Sequence, residues 1–266
     1  MRLNKSSKEL LAIFAVCVAG LLASFVLAED AAVTRGLDWL QAQVQANGSL
    51  SGEAASLAIV EQARTEAAHT LSQAGRTTKL PDLSPSAVSD LSTELLARRM
   101  VALNAAGQDA APLLPALSAR ANADGGYGSA VGQPSNPLDT SMALLALRAA
   151  GVAQDPRPAA AFAYLDAATN ADGSYSLGQN AYPTAYVLQA FARYRSSYNL
   201  TAQITRTRTA LLAMQGQAGF GDAVTDAVAT IAIAQSGSPA DAAPAVTALK
   251  NGQLSDGSWQ DDPYVT

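Results

Sequence analysis

Few side chains in this sequence could carry chemistry. His69 is the only histidine and Cys17 the only cysteine among 266 residues. A protein zinc site takes three or four Cys, His or carboxylate ligands. A Ser–His–Asp hydrolase presents its serine in a Gly-x-Ser-x-Gly elbow. No thiolate zinc site can be assembled after residue 28, a Ser–His–Asp triad is formally available but no such elbow occurs, and His69 reads as a polar residue on a helix flank. Asp222 and Asp226 stand four apart, on one face of a helix, and Asp139 opens an equivalent segment. Together they suggest a weak calcium or acid site, but helix capping explains Asp139 and Asp226 more simply. Glu94 and Arg98 have the spacing of a helix-stabilising ion pair. The most basic stretch, Arg193 to Arg208, reads as a solvated turn between helices.

These residues hang on a recurring skeleton. Leu249–Trp259 reads Leu-x3-Gln-x3-Gly-x-Trp, and degenerate copies run Leu40–Leu50, Leu117–Tyr127, Leu165–Tyr175 and Leu211–Phe220. Positions four apart stack on one helix face. A glycine four further on stops the helix, because glycine enters the left-handed conformation without strain. Asp124, Asp172 and Asp256 precede these glycines and supply turn chemistry. The aromatic that follows can fold back as a plug. After three plugs comes a nearly uncharged segment: Asp139–Gly151, Pro183–Tyr194 and Thr225–Gly237. A helix apolar most of the way round is buried. More polar outer helices therefore alternate with buried inner ones, in pairs that build a solenoid or closed ring. Further helices are expected over Ala31–Ala46, Glu53–Ala74, Ser84–Ala106 and Leu113–Ala121.

The stretch QLSDGSW resembles the Gln-x3-Gly-x-Trp motif of squalene and oxidosqualene cyclases. NADGGYG and NADGSY, each followed by a Thr-led apolar helix, resemble the broader prenyltransferase and squalene-cyclase repeat. The resemblance covers roughly residues 32–266 and implies an all-α fold, an α/α toroid of inner and outer helix rings. Terpene cyclases, prenyltransferase β subunits, complement thioester domains and vitamin B12 carriers share that fold, so fold alone does not choose a function. The family's zinc set of Asp, Cys and His and its thioester Cys and Gln cannot be formed after residue 28. In place of the cyclases' Asp-x-Asp-Asp acid there is only Asp261-Asp262, in a different position. Aromatic content is 6%, too little to suggest a cavity that stabilises carbocations.

The N-terminus carries Arg2, Lys5 and Lys8, then 18 uncharged residues, then Val26-Leu27-Ala28. This reads as a secretory signal peptide over residues 1–28, with an uncleaved membrane anchor as the alternative. Either places residues 29–266 in a secreted, periplasmic or cell-surface setting. That part holds 14 Lys and Arg against 21 Asp and Glu, a poor composition for nucleic acid, which needs clustered basic residues. The last unit stops where the others enter an inner helix. The toroid is therefore expected to be incomplete at the C-terminus, with a downstream domain or partner covering it.

The sequence thus points to a non-catalytic binding or scaffold module without metal or cofactor, similar in form to a cobalamin carrier. A squalene-type terpene cyclase or a fragment of one is the alternative. The loops 125–137, 173–183 and 219–223 should gather at one end. Ligand contacts, if any, fall to Tyr127, Asn136, Asp139, Tyr175, Tyr182 and Asp222.

Overall fold

In three of the glycine turns the backbone follows one hydrogen-bond pattern. The Asn122 N–H donates to the Gly126 carbonyl at 2.9 Å and the Gly125 N–H to the Asn122 carbonyl at 3.0 Å. Asp124 Oδ1 accepts from the Gly126 N–H at 3.0 Å. Asn170, Gly173 and Asp172 repeat the arrangement with Ser174, and Leu254, Gly257 and Asp256 repeat it with Ser258. Gly125 has φ +85°, and a Cβ there would lie 2.5 Å from the Ala160 carbonyl oxygen. Both the conformation and the close approach require glycine.

The computed structural model describes residues 30–51, 57–84, 86–152, 155–177, 181–237 and 239–259. Residues 1–28, expected to form a leader or anchor, and Asp261-Asp262 lie outside them. The described chain is all-α, with isolated bridges but no strand. Its helices are α1 (Ala31–Gln43), α2 (Leu57–Gln73), α3 (Thr93–Ala105), α4 (Leu114–Ser118), α5 (Pro137–Ala149), α6 (Pro156–Ala167), α7 (Ala181–Tyr194), α8 (Thr201–Met214), α9 (Ala223–Gln235) and α10 (Ala243–Gly252). No helix among the described residues is long and apolar enough to cross a membrane.

Two boundaries differ from expectation. The segment expected over Ser84–Ala106 makes a 3₁₀ turn over Val88–Asp90 and becomes α-helical only at Thr93, where Ser92 Oγ caps it by accepting from the Leu95 N–H at 3.2 Å. The segment expected over Leu113–Ala121 shortens to α4, preceded by a 3₁₀ turn over Ala111–Leu113. The capping assignment also shifts. Asn136 caps α5, accepting from the Asp139 N–H at 2.9 Å, and Asp222 caps α9, accepting from the Thr225 N–H at 2.8 Å. Asp226 instead accepts from the plug's own backbone, the Phe220 N–H, at 2.6 Å. Thr140 and Thr184 do the same for Tyr127 and Tyr175, each at 2.9 Å. One side chain in the helix's opening turns thus satisfies the amide of the plug before it, which joins each plug to the helix that follows.

Burial is uneven: it is highest in α5 and α7, while α9, with five of 13 residues buried, joins them by packing on α7. Ten of the 13 residues of α5 and 11 of the 14 of α7 are buried, against three of 14 in α8 and one of ten in α10. The buried set packs in sequence order: α2 on α3, α3 on α5, α5 on α7, α7 on α9. Tyr127 and Tyr175 are completely enclosed in this core. An aromatic ring brings more apolar area to such a core than any aliphatic side chain.

The two ends of the described chain also meet. Gln253 Nε2 donates to the Ala32 carbonyl of α1 at 2.7 Å and to the Gly257 carbonyl at 2.9 Å, while Arg35 donates to Gln253 Oε1 at 2.6 Å. The Trp259 ring lies against Gly36, and its indole N–H donates to the Leu249 carbonyl at 2.6 Å. Gly125 abuts α6 at Ala160 and Gly173 abuts α8 at Arg206, each the next polar helix along the chain. Gly257 abuts Arg35 of α1. The last turn treats the first helix as its successor.

Candidate functional site

A cavity of about 620 Å³ opens among all five buried-set helices, α2, α3, α5, α7 and α9. That volume lies within the roughly 300–1,000 Å³ typical of small-molecule sites. Three of these helices run the same way. Asp139 and Glu94, in the opening turns of α5 and α3, feel each other's charge, and Tyr182 at the start of α7 reaches Glu94 at 3.4 Å. At the other end Arg148 and Arg193, in the last turns of α5 and α7, interact electrostatically.

The wall nearer the opening turns carries a closed polar network centred on Arg98. Its guanidinium pairs with Glu66 and with Glu94 at 2.6 Å, and donates to the Tyr182 hydroxyl at 2.7 Å and the Tyr186 hydroxyl at 3.0 Å. It also lies 5.4 Å from the centre of the Tyr186 ring. Burial opposes the Arg98 charge. The Tyr186, Glu66, Tyr182 and Glu94 oxygens outweigh it and raise its pKa. Burial likewise pushes Tyr182 well up, so its hydroxyl proton stays in place. Next to Arg98, Arg99 makes a bidentate pair with Glu61, both bonds at 2.7 Å, and Glu61 is wholly enclosed. Such pairs fix geometry, and breaking one leaves an unpaired buried charge.

Toward the last turns the lining changes. Val101, Leu145, Val228 and Ile231 give apolar wall, and Gln73, Asn104, Arg148, Arg193 and Gln235 stand at the helix ends. Ile231 is 46% exposed, although it is large and apolar. His69 faces the same space. Burial lowers its pKa, Glu66 opposes this, and Arg193 and Arg98 add to it.

None of the six residues expected to meet a ligand is among the cavity-lining residues. Tyr182 comes nearest, as part of the Arg98 network. Tyr127 and Tyr175 are core plugs. The Tyr175 hydroxyl accepts from the Thr169 hydroxyl at 2.9 Å, whereas the buried Tyr127 hydroxyl has no hydrogen-bond partner among the described residues. Asn136 and Asp222 are helix caps, and Asp139 is a buried carboxylate held by Asn136 Nδ2 at 2.5 Å. The loop of residues 125–137 reaches the start of α3, where the Thr93 N–H donates to the Ser129 carbonyl at 2.8 Å. The residues that do line the cavity include His69, Arg98 and Arg193, which the sequence presented as a flank residue, an ion-pair partner and part of a solvated turn. One signal was available for Arg98. Adjacent Arg98 and Arg99 sit between Leu95, Leu96 and Met100, so a helix buried at that point must take a guanidinium inward. No group of three or more His, Cys, Asp or Glu suited to a metal ion occurs among the described residues.

The class these observations define is an all-α protein with a partly polar central cavity. Compared with known protein families and with curated proteins, the chain matches none.

Proposed function

We propose that this chain is a non-catalytic binding module of the prenyltransferase and squalene-cyclase repeat type, secreted, periplasmic or displayed at the cell surface, that holds a small ligand with a largely apolar body inside an α/α toroid. The observation that carries the reading is the cavity lined by every helix of the buried set. The toroid is supported by the sequential packing of that set and by the meeting of Gln253, Gly257 and Trp259 with α1. The extracytoplasmic setting rests on the basic and then apolar leader ending at Ala28.

The lining favours binding over cyclisation. Tyr186 is its one tyrosine, phenylalanine or tryptophan ring among the described residues, and the Arg98 guanidinium stands beside it. A carbocation needs aromatic faces or carboxylates directed at it. Here the ring faces a fixed cation and Glu66 and Glu94 are engaged by Arg98. A preformed, largely apolar pocket with a few oriented polar groups is instead the usual form of a ligand site.

The test uses N-phenyl-1-naphthylamine, an uncharged fluorescent probe. Saturable binding at one probe per chain is expected, and Ala227→Trp, which fills the cavity from α9, should abolish it without loss of helical signal. Binding that never saturates, or that survives the tryptophan, would contradict the reading.

A further inference from the structure

The arginines of this chain divide unevenly. Twelve fall among the described residues, and ten of them hold a carboxylate, a carbonyl or a side-chain oxygen. Arg120, for example, donates to the Leu91 carbonyl at 2.7 Å, and Arg195 to the Gln235 carbonyl at 3.1 Å. The two without a hydrogen bond or ion pair among the described residues are Arg148 and Arg193, and both line the cavity. They stand close enough to repel each other. Arg148 rests over the Tyr194 ring, 5.4 Å from its centre, which positions the guanidinium without using its N–H groups in a hydrogen bond. Arg193 is exposed and Arg148 half-buried, so water reaches both, but no acceptor among the described residues lies between these like charges, and an anion placed there would relieve their repulsion.

Helix polarity alone does not explain them. A cation in the last turn offsets the partial negative charge of a helix end, which accounts for an arginine on each helix. It does not account for both lining one cavity with no acceptor engaged. The opposite end of the cavity offers an anion nothing, because Arg98 is already matched against Glu66 and Glu94. Between the two ends lie Val101, Leu145, Val228 and Ile231.

We infer that the ligand is an anionic amphiphile, with a carboxylate or phosphate head held between Arg148 and Arg193 and an apolar chain against Val101, Leu145, Val228 and Ile231. This rests on the binding reading above and adds the ligand's charge and orientation to it. Planar guanidinium forks suit both head groups, and the apolar wall suits an unbranched chain.

The test compares decanoate, decyl phosphate, decanol and decyltrimethylammonium on the intact chain by calorimetry and by displacement of N-phenyl-1-naphthylamine. Decanoate or decyl phosphate should bind about tenfold or more tightly than decanol, the difference expected of a charge-assisted contact. The tighter of the two identifies the head group. The Arg148→Gln/Arg193→Gln double variant should lose that preference while keeping its affinity for decanol, and the double lysine variant should restore part of it. Equal affinity for decanoate and decanol, tighter binding of the ammonium compound, or a preference that survives the glutamines would overturn the anionic inference while leaving the cavity reading intact. If the uncharged probe and all four decyl compounds fail to bind, the cavity reading itself falls.

Discussion

The two ends of the cavity differ in how their charges are satisfied. Near the opening turns, Arg98 touches two carboxylates and two tyrosines, and its neighbour Arg99 is locked to Glu61. Near the last turns, Arg148 and Arg193 have no acidic partner among the described residues. A buried ion pair that is complete holds helices in register and has little capacity left for a ligand. A pair of guanidiniums left open keeps that capacity and adds little to stability. The first end positions α2, α3 and α7, and the second is where the proposed ligand's head group would sit.

Substitutions can break this contrast, and the largest effect belongs to the closed end. Arg99→Met strands the fully enclosed Glu61 carboxylate and should cost about 3–5 kcal/mol in chemical denaturation. Arg98→Met should cost less, about 1–3 kcal/mol, because the side chains of Glu66 and Glu94 remain 31% and 26% exposed and can hydrate. A larger loss for Arg98 than for Arg99 would reverse the assignment of the two arginines. The plugs offer a finer comparison. Tyr175→Phe removes the bond to Thr169 and should cost about 1 kcal/mol, whereas Tyr127→Phe removes a buried hydroxyl without a partner and should be neutral or stabilising.

A smaller effect is expected in the pH dependence of stability. Burial raises the Asp139 carboxyl above its ordinary value of 3.8, with the Asn136 amide opposing. Its folded pKa therefore exceeds its unfolded one. Its stabilising contribution is fully present below pH 3.8 and is lost as pH rises through the folded value. Asp139→Asn should remove that part of the decline in denaturation midpoints measured from pH 3.5 upward, and an unchanged slope would contradict the burial argument. The smallest effect is at the open end. Arg148→Gln with Arg193→Gln should change stability by no more than about 0.5 kcal/mol. A loss of several kcal/mol would show that these arginines hold the fold together.

The fold was more legible in the sequence than the site. The glycine turns, the plugs at Tyr127 and Tyr175 and the buried character of α5 and α7 are local, so spacing and composition report them directly. Gln253 and Trp259 were visible as a motif, but their contact with Ala32 and Gly36 joins residues more than 200 positions apart, and no local pattern encodes it. The cavity is hidden for the same reason. Its lining takes three to six positions from each of five helices, and the same Leu, Val and Ala would serve equally well as solid core. The six residues chosen from the sequence are core plugs, helix caps and residues of helix opening turns, which stand out because they flank the glycine loops. Two of the three lining arginines, Arg148 and Arg193, belong to helix ends, where a solvated charge is the common reading.

His69 gives the most direct test of the cavity. It is the only histidine, it faces the central space, and its imidazole resonances can be followed alone. With N-phenyl-1-naphthylamine titrated into the intact chain, the His69 signals should move and stop moving at one equivalent, after starting from a titration midpoint below the ordinary 6.5. Signals that stay fixed while the probe binds would place the ligand elsewhere and contradict the account of the central cavity as the binding site.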